Sequence, residues 1–189
     1  MRFLIEGNPI DARKNVLQTL DLVERKGVEY IWVGSEASWA EAGPHCVGVF
    51  SGVPLNRMAA VYSSADVLIK LSSSEGMFAP PLEMFSCGGT AICWDVQGAE
   101  EYMVHGYNSL VCPMNSFSSV SAAVEVLRDD RDVLDRLKAT AVKTAEGWPS
   151  WPEVAGNLLR CVEAIARHEN QGQFARIVEE CGRRFGPVS

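Results

Sequence analysis

The sequence predicts a doubly wound parallel α/β sheet of six strands, Rossmann-like, followed by a helical C-terminal segment. Two observations carry that reading. Short apolar runs rich in Val, Ile and Leu alternate along the chain with stretches of helical period. The runs are apolar on both faces, as strands covered by helices on both sides are.

Taken in order, residues 2–7 read as a first strand, followed by a glycine turn and a basic loop. Val16, Leu17, Leu20, Leu22 and Val23 then give a helix face that Lys26-Gly27 ends. Residues 30–34 form a second strand. Residues 35–44 are a loop or short helix of mixed character, and residues 46–50 a third strand running into Gly52-Val53-Pro54. A helix over 55–64 returns the chain to a fourth strand at 65–71. There the sequence L-S-S-S-E-G-M-F-A-P-P-L-E breaks off the strand in a polar loop and opens a helix with prolines in its first turn. Cys87-Gly88-Gly89 is a helix C-cap. Residues 90–94 are a fifth strand, 100–104 a short helix and 109–111 a sixth strand. From Phe117 the pattern is helical, broken at W-P-S-W-P over 148–152, resumed over 151–168 and closed by a last helix over 173–185. Two units follow from this layout: a ligand-binding domain over 1–168 and a helical tail over 169–189.

Composition limits the chemistry. The chain has 189 residues and is 47% hydrophobic, enough for one large α/β layer structure, with a net charge of −7 from 17 basic and 24 acidic residues. The basic residues form no run, which argues against a nucleic-acid partner and makes any phosphate site a local one. The six cysteines form no C-x-x-C pair and read as buried thiols of a reducing, cytoplasmic compartment; the three histidines have no metal-ligand spacing. No apolar run approaches the roughly 18 residues of a spanning helix, and residues 1–7 are too short for a signal peptide.

The loop after the fourth strand is the chemical centre. In an open parallel sheet ligands bind beyond the carboxyl ends of the strands, where free N–H groups at a helix start favour an anion. Glu75 and Glu83 flank that position eight residues apart. Carboxylates repel phosphate and accept from hydroxyls, so a ligand suiting both features carries phosphates and vicinal hydroxyls together, as a nucleotide sugar does. Read alone, Glu83 equally complements the helix dipole and Glu75 equally serves as a solvated turn residue.

The run E-G-M-F-A-P-P-L-E, with M-F-S-C-G-G-T-A-I-C-W-D-V-Q-G-A-E-E and H-G-Y-N-S-L-V-C-P after it, resembles the donor-binding region of the retaining GT-B glycosyltransferases of family 4 and their E-x7-E motif. The resemblance covers about residues 3–167. It implies the C-terminal, donor-binding half of such an enzyme, with an N-terminal acceptor-binding domain absent from this chain and a hexosyl group moved from a UDP-, GDP- or ADP-sugar to a glycan or lipid, in polysaccharide biosynthesis. It implies no cofactor and no metal. Peripheral membrane contact through the missing domain is compatible with it.

Carried over by position, the resemblance gives Glu75 the place beside the donor sugar, as the catalytic candidate, and Glu83 the ribose hydroxyls. The N–H groups of Gly76, Met77 and Phe78 face sugar or phosphate oxygens, although the family's second glycine is here Phe78. Gly7 and Lys14 match a G-R-x-x-x-x-x-K loop that holds the diphosphate; Asn8 stands at the arginine position, and Arg13 is a second cation beside Lys14. Gly52 and Val53 fall where the base packs, or form a plain turn before Pro54. The W-P-S-W-P-E block resembles the start of the family's closing helices.

Rival classes fit less well. A response-regulator-like module needs an acidic pair after the first strand and an aspartate after the third, where Gly7-Asn8 and Gly52-Val53 stand. A nicotinamide enzyme needs G-x-G-x-x-G after a strand. No Ser/His/Asp or Cys/His nucleophile set can be argued from the sequence. A catalytically silent nucleotide-binding or scaffold domain of the same fold is the alternative that Asn8 and Phe78 favour.

Overall fold

The computed structural model describes residues 1–166, together with Ala175, Arg176 and Glu179. Six strands form one parallel sheet: β1 (Phe3–Glu6), β2 (Tyr30–Gly34), β3 (Cys46–Ser51), β4 (Val67–Lys70), β5 (Thr90–Trp94) and β6 (Leu110–Cys112), in the order β3-β2-β1-β4-β5-β6. Leu4 pairs with Ile31 on one side and Leu68 on the other, so β1 and β4 lie at the centre. The order reverses between them. The chain leaves β1 toward β2 and leaves β4 toward β5, which opens a crevice between the loops that follow β1 and β4.

Helices cover the sheet: α1 (Val16–Lys26), α2 (Leu55–Tyr62), α3 (Ala79–Ser86), α4 (Phe117–Asp129) and α5 (Arg131–Gly147). The buried positions of α1 are Val16, Thr19, Leu20, Leu22 and Val23, and its turn beyond the C-terminus is made by Gly27 at φ +62°. Phe3, Ile5, Tyr30, Trp32, Val67, Ile69, Ile92 and Trp94 project from the strands into one apolar core, which the buried faces of α1 and α4 complete. At about 1.5–3 kcal/mol for each fully buried large apolar side chain, this layer is the main source of stability.

The expected elements are present with small differences. The prolines at 80 and 81 lie within the first turn of α3, so the helix begins before them, and Gly88 at φ +84° closes it. The short helix expected over 100–104 is a single 3-10 turn, Ala99–Glu101. Tyr102 ends it by adopting φ −149° and burying its ring edge-on against Phe85. Residues 35–44 form turns.

The chain divides into two compact units, Met1–Glu146 and a second beginning at Gly147. In the second, α6 (Trp151–Ala166) starts where the Ser150 N–H and hydroxyl both donate to Glu153 Oε2, at 2.7 and 2.8 Å. The expected helix over 173–185 and the tail boundary at 168–169 lie outside the described residues.

Candidate nucleotide-sugar site

Two loops meet across the central reversal of the sheet. After β1 the chain passes through Gly7 and Asn8 into a 3-10 turn, Ala12–Lys14, which Asp11 caps. This loop is held close to β2: a Cβ on Gly34 would lie 2.2 Å from the Gly7 carbonyl oxygen, so only glycine fits there. After β4 the chain runs from Leu71 to Phe78. The loops are tied by Ser73 N–H donating to the Arg13 carbonyl at 2.8 Å and by the Asn15 amide donating to the Leu71 carbonyl at 2.9 Å.

These ties bring Lys14 Nζ to 2.5 Å from Glu75 Oε1. Both side chains are largely buried, at 22% and 14% exposed. Burial pushes the Glu75 carboxyl up, but the Lys14 hydrogen bond, the Ser72 hydroxyl and the charges of Lys70 and Lys14 together outweigh it and hold the group below its ordinary value. Glu75 is therefore an ionised acceptor at neutral pH, suited to receive hydroxyl protons and unsuited to donate one.

Beneath this pair lie two charges that inspection of the sequence passed over. Lys70, the last residue of β4, is 2% exposed; it pairs with the Glu6 carboxylate and lies 3.9 Å from Glu75 Oε1. The signal was there: each of these apolar strands, F-L-I-E and V-L-I-K, ends in an ionisable residue, and a buried charge must find a partner.

Glu83 stands on the exposed side of α3, where the Tyr62 hydroxyl donates to its Oε2 at 2.8 Å. Tyr62 itself is buried. Burial, together with the negative charges of Glu6 and Glu83, pushes its hydroxyl well above the usual range, so it remains a donor. Glu83 is thus held by a third element, α2, which the sequence did not show.

The remaining expected residues divide. Arg13 turns away from the crevice, 66% exposed, with its guanidinium on the Asp11 carboxylate. Asn8 is engaged with the Ser35 hydroxyl at 3.0 Å and accepts from the Ile10 N–H. Gly52, at φ +63°, and Val53 form an exposed to half-exposed turn ahead of α2. Met77 is exposed, whereas Phe78 is a core residue whose carbonyl accepts from the Tyr102 hydroxyl.

The expected free N–H groups at the start of α3 are corrected by the structure. Pro80 and Pro81 have none, and the Ala79 N–H is taken by the Met77 carbonyl at 2.9 Å. Donors for an anion are therefore those of the preceding loop, Gly76, Met77 and Phe78, none of which bonds to a backbone carbonyl among the described residues. Gly98, at φ +89°, packs the loop after β5 onto this segment, and a Cβ there would lie 2.7 Å from the Gly76 carbonyl oxygen. A groove of about 390 Å³ opens beside it, lined by Asp95, Glu100, His105 and Cys112 among others. Among the described residues no group of three or more His, Cys, Asp or Glu could hold a metal ion, and no helix is long and apolar enough to cross a membrane.

Residues 34–144, more than half of the chain, match the family of glycosyl transferases group 1. The chain belongs to this family. Solved structures agree on the fold of this group 1 domain. A sucrose-phosphate synthase from Thermosynechococcus elongatus is similar at a TM-score of 0.74 and 17% identity, over 87% of this chain and 46% of that one. The C-terminal domain of a glycosyl transferase group 1 family protein from Francisella tularensis is similar at 0.64 and 16%, over 77% and 84%. A pneumococcal O-GlcNAc transferase, solved with UDP and GlcNAc, is similar at 0.69 and 18%, over 88% and 36%. The group 1 domain thus spans less than half the length of the synthase and of the O-GlcNAc transferase, while covering most of the isolated C-terminal domain. Among curated proteins, none matches the sequence.

Proposed function

We propose that this group 1 domain binds the donor of a retaining, family 4 glycosyltransferase, a nucleoside-diphosphate sugar, and that a second domain of the whole enzyme brings the glycan or lipid acceptor. The observation that carries the reading is the Lys14–Glu75 contact across the reversal of strand order, 2.5 Å long and largely buried. It sets a cation for a diphosphate beside an ionised acceptor for sugar hydroxyls, at the place where an open parallel sheet takes its ligands.

In this reading Lys14 leaves Glu75 for the diphosphate as a point charge, and the N–H groups of Gly76, Met77 and Phe78 supply directional donors to phosphate or sugar oxygens. Glu75 accepts from the donor sugar and Glu83 from the ribose. The leaving diphosphate is stabilised by these fixed charges and donors, with positioning in place of an enzyme nucleophile. No residue cluster for a metal enters the scheme. The pneumococcal neighbour's UDP and GlcNAc support the donor class.

The test is calorimetric titration of the chain with uridine, guanosine and adenosine diphosphates and their sugar conjugates. One of these is expected to bind, with Lys14→Ala weakening it at least tenfold. Absence of binding by all of them, or equal affinity in Lys14→Ala, would overturn the reading. Binding without transfer when the acceptor domain is supplied would favour the silent nucleotide-binding alternative.

A further inference from the structure

Lys70 has no part in the scheme above, yet it is the most deeply buried charge of the crevice. An ammonium offers three protons. Glu6 takes two, through its carboxylate and through its carbonyl oxygen at 3.3 Å. Within reach of the remaining one lies Glu75 Oε1, 3.9 Å away, the same oxygen that Lys14 holds.

The arrangement matters because Lys14 cannot serve a diphosphate and Glu75 equally. When Lys14 swings to the ligand, a carboxylate that is only 14% exposed loses its closest counter-charge. Around it stand Arg13, which is committed to Asp11 on the surface, the buried thiol of Cys93 on β5, and Lys70 on β4. Of these only Lys70 is a cation within ion-pair distance. It is also fixed: its amine is buried under Glu6, whereas Lys14 sits on an outer loop.

Resting on the donor reading of the same crevice, we propose that Lys70 is a positioning residue for Glu75, a second cation that keeps the carboxylate ionised and aimed into the crevice while Lys14 is engaged by the ligand. Lys14 is then the exchangeable partner and the Glu6–Lys70 pair the permanent one. Glu6 is part of the device, since it neutralises Lys70 well enough to keep it buried while leaving one proton free.

The proposal can be tested without any ligand, because Lys14→Ala takes the first cation away from Glu75 and leaves Lys70 in place. The whole chain, labelled at the glutamate side-chain carboxyl carbons, is titrated by NMR, with Glu75→Gln assigning the Glu75 signal. In Lys14→Ala the Glu75 midpoint is expected to rise by less than about one pH unit, because Lys70 remains. In the triple variant Lys14→Ala, Glu6→Gln, Lys70→Met, which removes the buried pair as a unit, a further rise of about one unit or more is expected. A rise of one unit or more in Lys14→Ala, or a smaller further rise in a folded triple variant, would overturn the proposal. The single variant decides the matter even where the triple variant does not fold. Failure of nucleotide sugars to bind leaves this titration unaltered and counts against the donor reading alone.

Discussion

The two ends of the sheet handle charge in opposite ways. At the amino end the main charges and buried polar groups of the described residues pair within the protein. Asp66 accepts from the Arg2 N–H at 2.9 Å and from Lys138 Nζ at 2.6 Å, the Arg2 side chain meets Glu29 at 2.5 Å, and Thr90 donates to the Asn108 carbonyl at 2.8 Å. At the carboxyl end Lys14 and Lys70 share one oxygen of Glu75, prolines remove N–H groups from α3, and loop N–H groups point to no backbone partner. The amino end has its partners built in; the carboxyl end is arranged so that a ligand can exchange for one of them. Substitutions at the amino end should therefore change stability and leave binding alone, and those at the carboxyl end should do the reverse.

The largest expected effect tests the amino end. Asn108 is fully buried, accepts from the Val104 N–H at 2.8 Å and donates to the Tyr102 carbonyl at 2.7 Å and the Thr144 hydroxyl at 3.0 Å. Asn108→Ala leaves several buried groups unpaired and should cost roughly 3 kcal/mol. In a domain of this size that lowers the melting temperature by about 6 to 12 °C. Nucleotide affinity measured below the transition should be unchanged, and a parallel loss of affinity would break the division between the ends.

Lys14→Ala is the opposite case. Loss of a charge-assisted contact to a diphosphate should weaken nucleotide binding by about 1.5 to 3 kcal/mol, ten- to a hundredfold. The melting temperature should move by no more than about 2 °C, since Lys70 stays within ion-pair distance of Glu75 when Lys14 is removed. Calorimetry and a thermal melt on one preparation give both numbers.

How much of this was legible in the sequence follows the same division. The core was readable because burial on both faces forces apolar runs, and the strand Thr90–Trp94 was placed to the residue. The Glu75–Glu83 spacing pointed to the loop between β4 and α3, which lies at the reversal of strand order. The network was not readable, since Glu6, Lys14, Lys70 and Glu75 meet only once the strand order sets β1 beside β4, and periodicity does not encode strand order. Arg13 turns outward for a local reason. Asp11, two residues earlier, offers its guanidinium a bidentate partner at once, so no reach into the crevice is needed.

Glu83 sharpens the comparison, because the helix dipole and a ribose compete as explanations for it. Glu83→Gln keeps the shape and weakens the acceptor, so affinity for the ribonucleotide should fall by about 1 to 2 kcal/mol, while a 2′,3′-dideoxy nucleotide should bind both proteins alike. The Tyr62 hydroxyl, 2.8 Å away, holds the side chain in place in either protein. A coupling energy near zero between the substitution and the ribose hydroxyls would assign Glu83 to the helix alone, with a cost confined to roughly 0.3 to 1 kcal/mol of stability.

The smallest effect concerns Asp66 and acid. Burial pushes its carboxyl up, but the Lys138 hydrogen bond and the Arg2 N–H overcome this and hold it below its ordinary value of 3.8. A carboxyl depressed in the folded state stabilises the protein above its unfolded value and loses that contribution as the pH falls through the folded one. Asp66→Asn should therefore cost about 0.5 to 1 kcal/mol at neutral pH, a modest sum for a pair that keeps some contact with water. The gap between wild type and variant should close as the pH drops below 3.8. Because Asp66 lies at the amino end, saturating nucleotide should leave that gap unaltered at every pH. A gap that narrows when nucleotide is added would mean the two ends of the sheet are coupled through β4, which begins just after Asp66 and ends at Lys70.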